Sequence, residues 1–206
     1  MVRGRPPAHT REQVVDAAIA VADAEGLGAV TIRRIATEIG AGAMSLYTYV
    51  ADKDRLVDLM VDRVAGQVTW PADLLGLVVT QRELMLRHRW LPGALPNRRL
   101  TGTNLIAYLD RGLAALAPTK LATSAKLEII ALLTGFVASY VTNELAQAAG
   151  GVTTAEQIEL ISAAVATGAF PHLAAALAES ADGPAVPLDF ATVAARMISG
   201  LVDGSS

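Results

Sequence analysis

The chain contains no cysteine. That excludes a disulfide framework, a thiolate nucleophile and any zinc site built on sulfur. Histidine occurs three times, as His9, His88 and His172, and no two are three or four residues apart. A histidine metal site on one helix face is therefore not written here either. Charge is sparse, at 18% of 206 residues with a net charge of −3. Any nucleic-acid contact must come from a local arrangement rather than from bulk charge. Catalytic signatures are missing as well. There is no Walker loop and no GxSxG. Gly40 and Gly42 begin a GxGxxG pattern, but Ser45 stands at the third glycine and the segment follows a helical pattern, not a strand. Asp58 and Asp62 share a helix face and read as solvated acids. No enzyme, cofactor or metal is expected.

What the chain has in plenty is apolar surface, at 52% of residues and a mean hydropathy of +0.41. A disordered chain is excluded, and the length suits one large domain or two small ones. The longest uncharged stretch, 160–178, has 19 residues. It is interrupted by Gly168 and Pro171 and holds His172. Two short helices are expected there, not a membrane span. No apolar run follows the first arginines, so a cytoplasmic protein is expected. Apolar helix surface buried in an oligomer is an outlet for the high hydropathy.

The periodicity predicts an all-α chain, with no sustained alternation of period two. Thr10 and Gln13 form a capping box before a helix that Gly26 ends. A second helix starts at Thr31, and Gly40-Ala41-Gly42 makes a tight turn. A short helix follows over Ala43–Val50, and Asp52 caps a fourth carrying Met60 and Val64. Longer helices are expected at 72–90, 103–116, 122–148, 154–167, 171–180 and 188–202, with Thr153 and Glu156 as a second capping box. The boundaries drawn are a flexible basic arm at 1–9, a compact unit at 10–66 and a larger helical unit at 67–206. Charge is uneven. Residues 82–99 carry a net +4, and 121–206 carry −6. The acidic half is a poor match for DNA.

Thr31–Val50 has the sequence form of a helix-turn-helix. Ala43, Leu46 and Val50 offer a docking face. Met44, Ser45, Tyr47, Thr48 and Tyr49 offer the other face. A tyrosine hydroxyl on a rigid ring suits a phosphate oxygen.

At these residues the chain resembles the TetR family of bacterial transcriptional regulators. Thr31, Arg33, Ile35-Ala36, Gly40, Leu46-Tyr47, Val50, Lys53 and Leu56 fit that family's pattern. The tract Arg87-His88-Arg89-Trp90-Leu91 is similar to one C-terminal subtype. The resemblance implies phosphate contacts from Thr31, Arg33, Tyr47, Tyr49 and Lys53. It implies base contacts from Met44, Ser45 and Thr48, with Arg3 and Arg5 as an arm along the backbone or in the minor groove. The turn departs from the pattern, because Gly42 stands where a DNA-contacting serine is usual. Residues 1–65 carry a net charge of −1.

In the family the larger part dimerises and encloses a small-molecule pocket. Two apolar stripes are the dimer candidates. One runs through Ile129, Ile130, Leu133, Phe136, Val137, Tyr140 and Val141. The other runs through Phe190, Val193, Ala194, Met197, Ile198 and Leu201. The pocket candidates are Trp90, Tyr108, Phe136 and Tyr140, with Met60, Met85, His88, Asn104 and Asn143 as neighbours. The expected partners are a double-stranded DNA operator, an apolar or amphipathic effector and a second copy of the chain. The expected function is a ligand-responsive regulator, a repressor released from a palindromic operator. The alternative is a helical small-molecule-binding or enzymatic protein whose N-terminal motif has lost DNA binding.

Overall fold

A computed structural model describes residues 9–95, 102–150, 154–181 and 189–203. Arg3, Arg5 and Thr153, the cap residue of the expected second capping box, lie outside the described positions. Among the described residues there is helix and no strand.

The N-terminal helices begin where short polar side chains satisfy their free N–H groups. α1 (Arg11–Glu25) opens on a reciprocal box: Thr10 Oγ1 accepts from Gln13 N at 3.2 Å and Gln13 Oε1 accepts from Thr10 N at 2.9 Å. Gly26, at φ +84°, ends it. A single 3₁₀ turn, Leu27–Ala29, leads to α2 (Ile32–Glu38), which Thr31 caps through Arg34 N. Gly40, at φ +68°, turns the chain into α3 (Ala43–Leu46). Asp52 caps α4 (Lys53–Ala65), and Asp73 caps α5 (Leu74–Arg87).

α3 is shorter than the eight residues expected, and only Ala43–Leu46 is regular. Ser45 Oγ donates to Gly42 O and Thr48 Oγ1 to Ser45 O, both at 2.6 Å. Such back-bonds compete with the helical ladder. Leu46 and Val50 are buried as expected, but Ala43 is exposed and is not part of the docking face.

Beyond α5 come α6 (Leu91–Ala94), α7 (Thr103–Ala115), α8 (Thr123–Ala148), α9 (Thr154–Ala166), α10 (Pro171–Ala181) and α11 (Phe190–Asp203). α6 falls where Pro92 and Gly93 read as a break. Proline is tolerated in a first helical turn, whose N–H groups have no intrahelical partner. α8 is long and apolar enough to cross a bilayer by length and composition. It packs instead against α5, α6 and α7 through Ile129, Ile130, Leu133, Val137 and Val141.

The expected dimer stripes are partly taken up within one chain, while Val193, Met197, Ile198 and Leu201 stay partly exposed. These five α8 side chains, with Phe190 and Ala194 of α11, belong to the core of a single chain. Phe136 stacks on Phe190 at 5.8 Å, and Tyr140 meets the same ring edge-on at 4.9 Å. A core stripe and a dimer stripe have the same period, so the sequence pattern did not separate them. Exposed apolar side chains include Ile158, Leu160, Phe170, Leu173 and Leu177 on α9, α10 and the turn between them, with Ile106 on α7 and Leu127 and Leu132 on α8.

One buried cluster runs through the whole chain, from Val14 to Ala194. α4 sits at its centre. It packs on α1 on one side and on α6 and α7 on the other.

Candidate nucleic-acid interface and effector cavity

The proposed DNA face is built by α2, the glycine turn, α3 and the start of α4. Met44 is 80% exposed, Tyr47 is half exposed, and Ser45 and Thr48 are exposed. Tyr49 is partly buried against the core, and its carbonyl accepts from Arg11 Nε at 3.2 Å. Arg11 thereby ties the segment after α3 to α1. Thr31, Arg33 and Lys53 are all exposed. Arg33 and Lys53 make no ion pair among the described residues. Arg34, next to Arg33, is committed to Glu25 at 2.8 Å and Glu38 at 2.7 Å. The adjacent arginines therefore differ in availability.

The hydroxyl hydrogens of Ser45 and Thr48 are spent on backbone carbonyls. Toward a base edge these oxygens act as acceptors, and Met44 and the Thr48 methyl group offer apolar contact. Asp52 already takes Arg55 N at the start of α4. What Lys53 offers at this end of α4 is therefore its exposed ammonium group, not an empty helix terminus.

Beneath this face lies a cavity of about 880 Å³. α4 lines it with Val61 and Ala65, α5 with Gln81, Leu84 and Met85, and α6 with Leu91 and Pro92. Trp70, from the loop between α4 and α5, and Tyr108 of α7 complete one end. Among the described lining residues none is Asp, Glu, Lys, Arg or His. Tyr108 is buried, and burial pushes its phenol pKa up. Its hydroxyl lies 3.0 Å from Thr134 Oγ1 and 3.5 Å from Gln81 Oε1. Thr134 spends its own hydrogen on Ile130 O at 2.9 Å, so Tyr108 is the donor of that pair.

Of the expected pocket residues, Met85, Tyr108 and Asn143 line this cavity. The other six do not. Met60 is fully buried on the core side of α4, and Val61 and Ala65 take the cavity side instead of Met60 and Val64. Phe136 and Tyr140 turn to Phe190. Asn104, in the first turn of α7, is held by Asp62, which accepts every bond between them. Its N and Leu105 N donate to Asp62 Oδ1 at 3.0 Å, and its amide donates to Asp62 O.

His88 and Trp90 face the DNA-binding unit. Asp23 of α1 accepts from Trp90 Nε1 at 2.7 Å and pairs with His88 Nδ1 at 2.8 Å, both through Oδ1. The other ring nitrogen of His88 lies 3.0 Å from Gln67 Oε1. Both rings are buried. This joint has no local signature, because its partners lie 65 and 67 residues apart. Trp70, Gln81 and Thr134 were also missed as cavity residues. Gln81 lies four residues before Met85, on the same helix face, and that spacing is the signal that would have found it.

The helix-turn-helix segment matches the family model described as bacterial regulatory proteins, tetR family, over residues 14–60. The model for the tetracyclin repressor-like C-terminal domain matches residues 64–203. The chain belongs to the TetR family. It is a DNA-binding transcriptional regulator. It is 35% identical over 199 residues to the HTH-type transcriptional repressor DrrR1 of Streptomyces coeruleorubidus, a match covering 88% of this chain and 73% of that protein. Among solved structures it is similar to apo ActR of Streptomyces coelicolor, at 26% identity, TM-score 0.78 and 98% coverage of both chains. ActR solved in complex with actinorhodin gives the same TM-score at 27% identity, covering 96% of this chain and 99% of that one. The cavity and the exposed face of the helix-turn-helix occur together in one chain, and α4 contributes to both.

Proposed function

We propose that this TetR-family protein is a homodimeric repressor that leaves a palindromic operator when an uncharged, largely apolar small molecule fills the cavity. The observation that carries this reading is the placement of α4. Lys53 begins it on the exposed DNA face, and Val61 and Ala65 near its other end line the cavity. At 1.5 Å per residue, roughly 18 Å of rigid helix joins the two. A tilt imposed at the cavity is delivered to Lys53 and to the residues packed beside it. The two recognition segments of a dimer fit successive major grooves only near one DNA turn apart, about 34–36 Å. A ligand that holds α4 away from that spacing releases the operator. The actinorhodin complex of ActR supports a small-molecule occupant, and the repressor DrrR1 supports the direction of control.

Thr31, Arg33, Tyr47, Tyr49 and Lys53 are assigned to phosphates. Met44, Ser45 and Thr48 are assigned to base edges. Lys53→Ala and Tyr47→Phe should weaken binding to all duplexes similarly, and Lys53→Ala should lower the slope of log affinity against log salt by about 1. Thr48→Ala should change base preference, read by selection from a random duplex library, because base contacts specify where phosphate contacts position. A Thr48→Ala protein that selects the wild-type motif would overturn the base-reading assignment.

The exposed apolar side chains of α9 and α10 support a dimer in solution. Light scattering without DNA is expected to give about twice the chain mass of 21.4 kDa. A monomer that persists at high micromolar concentration would remove the palindromic operator along with the dimer.

A further inference from the structure

Trp70 Nε1 is the one buried side-chain nitrogen or oxygen without a hydrogen-bond partner among the described residues. The contrast with the second tryptophan is informative, since Trp90 Nε1 donates to Asp23 at 2.7 Å. A buried donor left unpaired is costly, and native structures satisfy nearly all of them. Trp70 belongs to the cavity wall, where its ring meets Tyr108 edge-on at 4.7 Å. The neighbouring Tyr108 hydroxyl directs its hydrogen at Thr134 and Gln81, and its oxygen does not accept from Trp70. No carboxylate is among the described lining residues to accept from it. Trp70 lies in the loop between α4 and α5, and a donor role toward a ligand requires its side chain to turn the N–H into the cavity.

We infer that Trp70 is a specificity-determining donor, and that the effector carries an uncharged oxygen acceptor, of carbonyl or ether type, on an apolar body. This rests on the cavity being the effector site. The described lining residues carry no charge, and an ionised ligand among them would lose its hydration without a counter-charge. An apolar body matches the Leu84, Met85, Leu91 and Ile130 walls.

Two fluorescent probes separate the roles. Nile red is neutral and apolar and has a carbonyl acceptor, whereas pyrene is an apolar hydrocarbon without one. In full-length protein, Trp70→Phe should weaken Nile red about tenfold, the loss of one hydrogen bond, and shift its bound emission to shorter wavelength. Pyrene affinity should change by less than about twofold. The wild-type protein supplies a readout free of folding effects. It has two tryptophans, hence two indole N–H resonances. The Trp70 resonance should move downfield with Nile red and not with pyrene, and the Trp90 resonance serves as reference. Equal weakening of both probes by Trp70→Phe, or the same indole shift with both, overturns the donor role while leaving the cavity reading intact. Binding of neither probe, or binding untouched by the cavity-filling Ala138→Trp, overturns the cavity reading and the donor role with it.

Discussion

Asp23→Ala is expected to lower the melting temperature on the order of 10 °C. The carboxylate is the shared acceptor of two ring N–H groups, His88 Nδ1 at 2.8 Å and Trp90 Nε1 at 2.7 Å. Both rings are about 95% buried, at 5% exposure each. Alanine leaves two buried donors with no acceptor, at about 1–3 kcal/mol each. For a chain of this size each kcal/mol is worth about 2–4 °C. Asp23→Asn keeps an acceptor oxygen in place and should cost much less. The comparison that isolates the cause is Asp16→Ala. Asp16 also leaves α1 to meet a basic partner, Arg63, at 2.9 Å, but both side chains are 51% exposed. Water replaces that pair, and its loss should cost less than about 1 kcal/mol. Thermal unfolding of the three variants decides the matter. If Asp23→Ala and Asp16→Ala shift the transition equally, the joint contributes no more than a surface contact.

That joint also shows where reading from sequence stops. The helix starts at Thr10, Thr31 and Asp52 were legible because a cap is local. The side chain and the N–H that it accepts from are three residues apart. The helix-turn-helix was legible for the same reason, since its turn and docking residues sit within twenty positions. The Asp23 joint brings together α1 and the end of α5, and no periodicity encodes it. The cavity residues were chosen from the scarce aromatics, and scarcity misled. Phe136 and Tyr140 are on α8, as Thr134 and Asn143 are, but on the side that meets Phe190. Which side of a buried apolar helix meets a void depends on its neighbours, because both sides are apolar. The dimer stripes carry the same ambiguity. Burial in one chain and burial between two leave identical spacing in the sequence.

Filling the cavity by mutation should act as the effector does. Ala138 lies on α8 at the cavity wall, and tryptophan there occupies space otherwise open to ligand. Operator affinity of Ala138→Trp is expected to fall about 100-fold, which corresponds to about 2.7 kcal/mol of coupling between cavity and DNA face. Such a loss requires that the filled cavity favour the geometry that does not fit the operator, since occupancy without preference shifts nothing. The partner variant is Phe136→Trp. It lies two residues away but faces Phe190 at 5.8 Å, so it should leave operator affinity near that of the wild type, apart from any cost in stability. Linkage gives a second check on the wild-type protein. Whatever factor a cavity ligand takes from operator affinity, saturating operator DNA must take from the affinity for that ligand. Paired titrations, with DNA in the presence and absence of ligand and with ligand in the presence and absence of DNA, should return equal factors. Unequal factors would mean that the ligand acts through aggregation or unfolding. Equal factors of one, together with wild-type DNA binding by Ala138→Trp, would mean that α4 transmits nothing and that the cavity and the DNA face are independent.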